Sequence, residues 1–126
     1  TLMSGLNRYF KVNGMPYRAH WRISGQKMVS RIDKMLAKDI PVILAIGPNF
    51  PFVWKKEKLT FYTKTNDEKY IPAVKTKAHF VIVTGRDASW IQISSWGKEY
   101  YIDIREYRRY VKRHSSFLVS NVIDID

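Results

Sequence analysis

The sequence contains no cysteine among its 126 residues, and it has only three histidines. Without thiols the chain can form no disulfide, no thiolate zinc site and no cysteine nucleophile of its own. The histidines are far apart in sequence and offer no paired spacing for a metal. A Gly-rich loop leading into a helix, as phosphate-bearing cofactors require, is also missing. We therefore expect neither a metal nor a cofactor.

Long apolar runs are missing as well. The longest, residues 40–46, is far shorter than the roughly 18 residues of a membrane-spanning helix, so we expect no transmembrane segment. A run of this length suits a buried strand instead. No charged stretch leading into an apolar segment opens the chain, so no signal peptide is indicated. The length predicts a single domain over residues 1–126.

Positive charge is abundant: the chain has 22 basic and 11 acidic residues, which give a net charge of +11. Such a field attracts anionic partners, such as nucleic acid, acidic lipid or an anionic cell wall. Aromatic residues make up 14% of the chain and lie among Lys and Arg, as in surfaces that bind nucleic acid. Many of them alternate along strands as core residues do, so we disfavour nucleic acid as a partner.

Helical patterns come early in the chain and strand patterns come late. Residues 1–23 predict mostly loop, with one helical turn near residues 6–10. An apolar stripe predicts a helix from about residue 25, ended by Pro41. Strands are predicted at 41–46, 59–64, 70–74, 79–84, 90–94, 100–103 and 117–123, and a helix at 104–112. This order predicts an α+β domain whose antiparallel sheet carries an N-terminal helix packed on it.

His79 opens an apolar strand that ends at a Gly turn. Histidine changes protonation near neutrality, which suits a general base or acid. A single histidine is more often a structural residue, so its neighbours in sequence decide its role.

The segments after His79 follow a recognisable order. The strand from His79 reaches Gly85, a second strand ends in Ser94-Ser95-Trp96-Gly97, and Tyr100-Tyr101-Ile102 follows. This order resembles the second half of papain-like cysteine peptidases, and most closely the bacterial branch that resembles bacteriocin-leader peptidases. The predicted helix at 28–36 and the strand Pro41-Val42-Ile43 support the resemblance, which covers about residues 24–112.

The resemblance implies roles for particular residues. In such a site a thiolate attacks a carbonyl, while a histidine holds the ion pair and later protonates the leaving amine. His79 would be this general base and acid. Ser94 stands where the family has the asparagine that orients the ring, and Gln92 or the Ser95 hydroxyl are alternative orienters. We expect the side chains of His79 and Ser94 to lie close together across two paired strands.

Trp96 and Gly97 complete the motif. By themselves they would indicate a core tryptophan beside a turn glycine. Together with His79 and the strand order, they imply that Trp96 covers the histidine and its orienting residue and excludes water.

The resemblance also implies a cysteine-bearing region that residues 1–126 do not contain. In the family a cysteine heads a helix, with a glutamine just upstream, and this chain has no such region. We therefore expect residues 1–126 to be the C-terminal part of a papain-like peptidase domain, inactive alone. Its partners would be a peptide or protein substrate and its own N-terminal segment. The alternatives are an inactive papain-like binding module and a basic nucleic-acid-binding domain.

A domain that lacks part of its fold should retain an exposed apolar face. Such a face would drive association with the missing segment or with a second copy of the chain. The resemblance favours a secreted or cell-surface bacterial protein, where an anionic cell wall would meet the positive charge.

Overall fold

A computed structural model describes residues 2–22, 28–40, 42–46, 58–76, 79–114 and 120–125. The elements are α1 (Leu2–Val12), β1 (Ala19–Arg22), α2 (Met28–Ala37), β2 (Val42–Ile46), β3 (Leu59–Lys64), β4 (Tyr70–Thr76), β5 (His79–Arg86), β6 (Trp90–Ser95), β7 (Lys98–Asp103), α3 (Ile104–His114) and β8 (Ser120–Ile125). The eight strands of the described residues form one sheet in the order β1-β8-β2-β5-β6-β7-β3-β4, and neighbouring strands run antiparallel. The predicted α+β class with an antiparallel sheet is confirmed.

The main core lies between one face of the sheet and the helices α2 and α3. Apolar residues of α2 recur at helical spacing and are buried: Val29, Ile32 and Met35. They share one apolar cluster with the buried residues of α3, which are Ile104, Tyr107 and Tyr110. Alternate residues of β2, β5, β6, β7 and β3 complete this cluster, because successive strand side chains point to opposite faces. This face is called the core face below.

Helix α1 packs on the opposite face of the sheet. Its Phe10 is buried with Ala19 of β1 and Ile123 of β8, and Met3 and Leu6 pack beside them. The expectation of a loop with one helical turn was therefore wrong. Gly5 and Ser4 lower the helix propensity of this segment, but burial of the apolar stripe against β1 and β8 stabilises the helix.

Several boundaries differ from the sequence patterns. Strand β5 continues through the predicted Gly turn to Arg86, because a bulge between Val83 and Gly85 lets the chain bend without leaving the sheet. Strand β8 is described at Ser120–Ile125 rather than at 117–123. The predicted helix start near residue 25 lies outside the described residues.

The two edge strands of the sheet, β1 and β4, are each protected. On β4, Pro72 pairs with Tyr62 of β3 and has no N–H to offer a further strand. On β1, the Asn7 side chain of α1 engages both backbone polar groups of Ala19. Its Nδ2 donates to the Ala19 carbonyl at 3.1 Å, and the Ala19 N–H donates to its Oδ1 at 2.7 Å. Asn7 therefore takes the place of a neighbouring strand at this position.

Replacing Asn7 by alanine should destabilise the domain. Two hydrogen bonds to half-buried backbone groups are lost, so we expect the free energy of unfolding to fall by about 1–3 kcal/mol in urea titrations. The matched control is Asn13→Ala, which removes an exposed hydrogen bond to the Tyr9 carbonyl and should cost about 0.5 kcal/mol or less. Equal losses for the two variants would contradict the role assigned to Asn7.

Helix α3 is tied to β3 by the Tyr62 phenol, which donates a hydrogen bond to the Glu106 carboxylate. This bond, with burial and the negative charge of Glu106, raises the pKa of Tyr62 to about 12. An unfolded tyrosine loses its proton near pH 10, so the folded state holds this proton more tightly.

The stability contributed by Tyr62 should be fully present below about pH 10 and lost as pH rises toward about 12. We expect Glu106→Gln to remove part of this dependence, because the amide carries no charge. Phenolate absorbance followed during a pH titration would show Tyr62 ionising earlier in that variant. Tyr62→Phe identifies its signal, and an unchanged titration in Glu106→Gln would contradict the assignment.

Candidate active site

The site lies where β5 begins and β6 ends. His79 is the first residue of β5, and Ser95 is the last residue of β6. The two strands are antiparallel neighbours, so these positions come to the same end of the sheet. His79 Nε2 lies 2.5 Å from Ser95 Oγ, and the Ser95 side chain is buried.

The register of the strands decides which hydroxyl meets His79. On β6, Ile91 and Ile93 are buried in the main core, and Ser95 continues the same alternation onto the core face. On β5, Val81 and Val83 are buried there too, so His79 shares their face. The structure therefore brings His79 and Ser95 together.

The structure does not bring Ser94 or Gln92 to His79. Ser94 pairs with the exposed Ile82 and lies on the face opposite the core. Gln92 lies on that same face and packs its side chain over Gly85, where an added Cβ would come within 2.8 Å of its Oε1. The expectation that Ser94 or Gln92 orients the ring is thus corrected, and the third residue named, Ser95, is the one in contact.

Trp96 covers the histidine. Its indole stacks on the His79 imidazole with the ring centroids 4.3 Å apart and the planes 13° from parallel. Its other ring contacts are with Phe61 and Tyr100 of the core face, with centroids 6.2 and 6.0 Å away. The indole remains 55% exposed. The indole therefore acts as a lid: one face covers the His79 imidazole, and the other side is exposed to solvent.

The backbone at Trp96 is unusual. Trp96 and Gly97 are the two residues between β6 and β7, and their φ angles are +50° and +72°. Two positive φ values in a two-residue hairpin correspond to the type I′ turn, which favours Asn-Gly. Glycine adopts this conformation freely, but a bulky aromatic residue does so at a cost. Such strain at a non-glycine residue is typical of functional positions.

The hydrogen bond to Ser95 defines what the imidazole can do. A serine hydroxyl can accept from Nε2–H, which fixes the ring and leaves the lone pair of Nδ1 able to take a proton. Ser95 itself is a poor nucleophile candidate, because only 8% of the residue is exposed. Within the described ranges, no three acidic or histidine side chains gather as metal ligands would. The arrangement is an imidazole that contacts Ser95 at Nε2, is covered on one face by Trp96 and has the chemical capacity to exchange a proton at Nδ1.

We compared the chain with known proteins by sequence and by structure. No protein-family model, no curated protein and no solved structure matches it. Among the described helices, none has the length and apolar character to cross a membrane. The resemblance to papain-like peptidases therefore rests on the motif order in the sequence.

Proposed function

We propose that this chain is the histidine-bearing part of a papain-like cysteine peptidase, whose thiol is supplied by a segment outside residues 1–126. The observation that supports it is the His79 imidazole, held at Nε2 by Ser95 and stacked beneath Trp96. A fixed ring with one nitrogen engaged and the other available is what a thiolate–imidazolium pair requires.

The chemistry assigns His79 two proton transfers. The thiolate attacks the carbonyl carbon of a peptide bond, and the imidazolium gives its proton to the leaving nitrogen as the C–N bond breaks. A thioester and a free amine result. His79 then takes a proton from water, whose oxygen attacks the thioester and releases the acid and the thiol.

Ser95 and Trp96 act through His79. The Ser95 hydroxyl would hold the ring so that Nδ1 faces the thiol, and it is therefore a positioning residue. Trp96 covers the ring and its hydrogen bond, and exclusion of water strengthens such polar contacts.

The test uses the longest natural polypeptide that contains residues 1–126, incubated with a peptidyl vinyl sulfone that alkylates activated thiols. We expect labelling of a cysteine that precedes this chain, and at least about a 100-fold slower reaction in His79→Ala. His20→Ala is the matched control, because His20 lies in β1 and is separated from the site by β8 and β2. A polypeptide without cysteine, or equal labelling of both variants, would overturn the proposal.

The positioning role of Ser95 has a separate test on peptide hydrolysis. We expect Ser95→Ala to lower kcat by up to about 100-fold, because the ring loses its fixed orientation, and to alter the pH profile of kcat. Ser95→Thr retains the hydroxyl and should restore most activity. Ser94→Ala is the control, since Ser94 lies on the other face of the sheet, and it should behave like the original protein.

A further inference from the structure

Four aromatic side chains lie together on the sheet face opposite the core. They belong to β3, β4, β6 and β7 and are all half-buried: Tyr62, Tyr70, Trp90 and Tyr101. Three of them alternate with core residues: Tyr62 follows the buried Phe61, Trp90 precedes the buried Ile91, and Tyr101 lies between the buried Tyr100 and Ile102. Tyr70 pairs with Lys64, which lies two residues after Tyr62 on β3. We call this group the open-face cluster.

The open-face cluster forms a continuous aromatic surface. Tyr70 stacks on Trp90 with centroids 3.8 Å apart and planes 11° from parallel, and Tyr62 meets Trp90 edge-on at 5.2 Å. Tyr101 meets Tyr70 edge-on at 5.2 Å. Among the described helices, α2 and α3 pack on the core face, and α1 packs over β1, β8 and Ile43 of β2. Of these helices, α3 meets the cluster at one side, where Glu106 accepts the hydrogen bond of Tyr62.

Basic side chains flank these rings. Lys64 Nζ lies 5.6 Å from the centre of the Tyr70 ring. Arg109 is exposed one helical turn after Glu106, whose carboxylate accepts the hydrogen bond of Tyr62. Lys75 of β4 pairs with Thr60 and is also exposed. The carboxylates of Glu106, Asp103 and Glu99 also lie near Tyr62 or Tyr101, so attraction of an anion to this face depends on the flanking cations together with the net positive charge of the chain.

We propose that the open-face cluster binds single-stranded nucleic acid, with bases stacked on the rings and phosphates contacted by Lys64, Lys75 and Arg109. Every base has a flat face that can stack on an aromatic ring, but only a single strand presents those faces. The overall charge of +11 would draw such a polyanion. This site is independent of His79.

The aromatic residues of this chain form two sets that their sequence pattern does not separate, because members of both sets alternate along strands as core residues do. The structure separates two sets: Phe61, Tyr100, Tyr107 and Tyr110 are buried in the core, whereas the four rings of the open-face cluster face the other way. Alternation along the strands therefore supplies both a core and an aromatic surface.

The test measures fluorescence anisotropy of a labelled oligothymidylate with the full chain at about 50 mM salt. Three phosphate contacts predict a slope near −2 for log affinity against log salt, since a single strand gives about 0.7 per contact. Lys64→Glu with Arg109→Glu should weaken binding by at least about 10-fold. The control is the double variant Lys11→Glu with Lys38→Glu, because both residues are exposed and lie outside the cluster. It should weaken binding of the oligothymidylate far less.

Stacking is tested with Tyr101→Leu, which keeps an apolar side chain on the sheet. It should weaken binding of oligothymidylate by about 5-fold or more, without weakening binding of polyphosphate, which has no bases. Tyr9→Leu, on the exposed side of α1, is the matched control, and circular dichroism verifies folding.

Undetectable binding at low salt, equal binding of polyphosphate or polyglutamate, or equal effects of the two charge variants would overturn the proposal. His79→Ala should bind like the original chain, so failure of the peptidase proposal is distinguishable.

Discussion

Phe61→Ala is expected to lower the free energy of unfolding by about 3–5 kcal/mol, the range for deleting a buried aromatic ring. Phe61 is fully buried on the core face of β3. Its ring contacts both Tyr100 and Trp96, with centroids 5.9 and 6.2 Å away. Removing it leaves a cavity below the lid of the candidate active site. Urea unfolding followed by circular dichroism measures the loss.

Phe80→Ala is the control for this variant. Phe80 lies on β5 and is 50% exposed on the face opposite the core, so the same truncation should cost no more than about 1 kcal/mol. Phe61→Leu keeps most of the apolar volume and should fall between the two. Similar losses for Phe61→Ala and Phe80→Ala would mean that Phe61 is not part of the core described here.

Trp96→Asn is expected to destabilise the domain although it improves the turn. Asparagine tolerates the positive φ of this position, which favours the variant by about 1–2 kcal/mol. The indole, however, contacts His79, Phe61 and Tyr100, and each aromatic pair contributes about 0.5–1.5 kcal/mol besides the apolar area buried. The contacts outweigh the strain, so we expect a net loss of about 1–3 kcal/mol in urea unfolding.

The same variant should uncover the imidazole of His79. Carbethoxylation of histidine by diethyl pyrocarbonate, followed residue by residue with mass spectrometry, should proceed several-fold faster at His79 and be unchanged at His20. Gly97→Ala is the matched turn variant, because it strains the backbone at a φ of +72° but leaves the indole in place. A gain in stability for Trp96→Asn, or equal acceleration in Gly97→Ala, would contradict the lid.

Local patterns predicted most of the fold because they are set by neighbouring residues. The alternation of residues 59–64 and 79–84 and the apolar stripe of α2 each determine which face is buried. Helix α1 was missed because the sheet surface that stabilises it is formed by β8, more than a hundred residues away in sequence. The pairing of β1 with β8 depends on the same long-range contact.

The partner of His79 was misassigned by one residue, and in a sheet one residue changes the face. Ser95 alternates with Ile91 and Ile93, while His79 alternates with Val81 and Val83, so the sequence already indicated that these two side chains share a face. The motif comparison placed Ser94 at the family's asparagine and outweighed that signal. Recognising Trp96-Gly97 as a two-residue turn would have fixed the end of β6 at Ser95.

The protected edges of the sheet have a consequence for how copies of this chain can associate. An exposed edge strand is a template for further strands, and its growth leads to cross-β fibrils. Here Pro72 and Asn7 each block a hydrogen-bonding position at opposite ends of the strand order. The exposed Phe80 and Ile82 on the sheet face offer another chain an apolar contact that does not extend the sheet. Loss of the Asn7 side chain would remove that protection at β1 and leave the backbone groups of Ala19 open to pairing with a further strand.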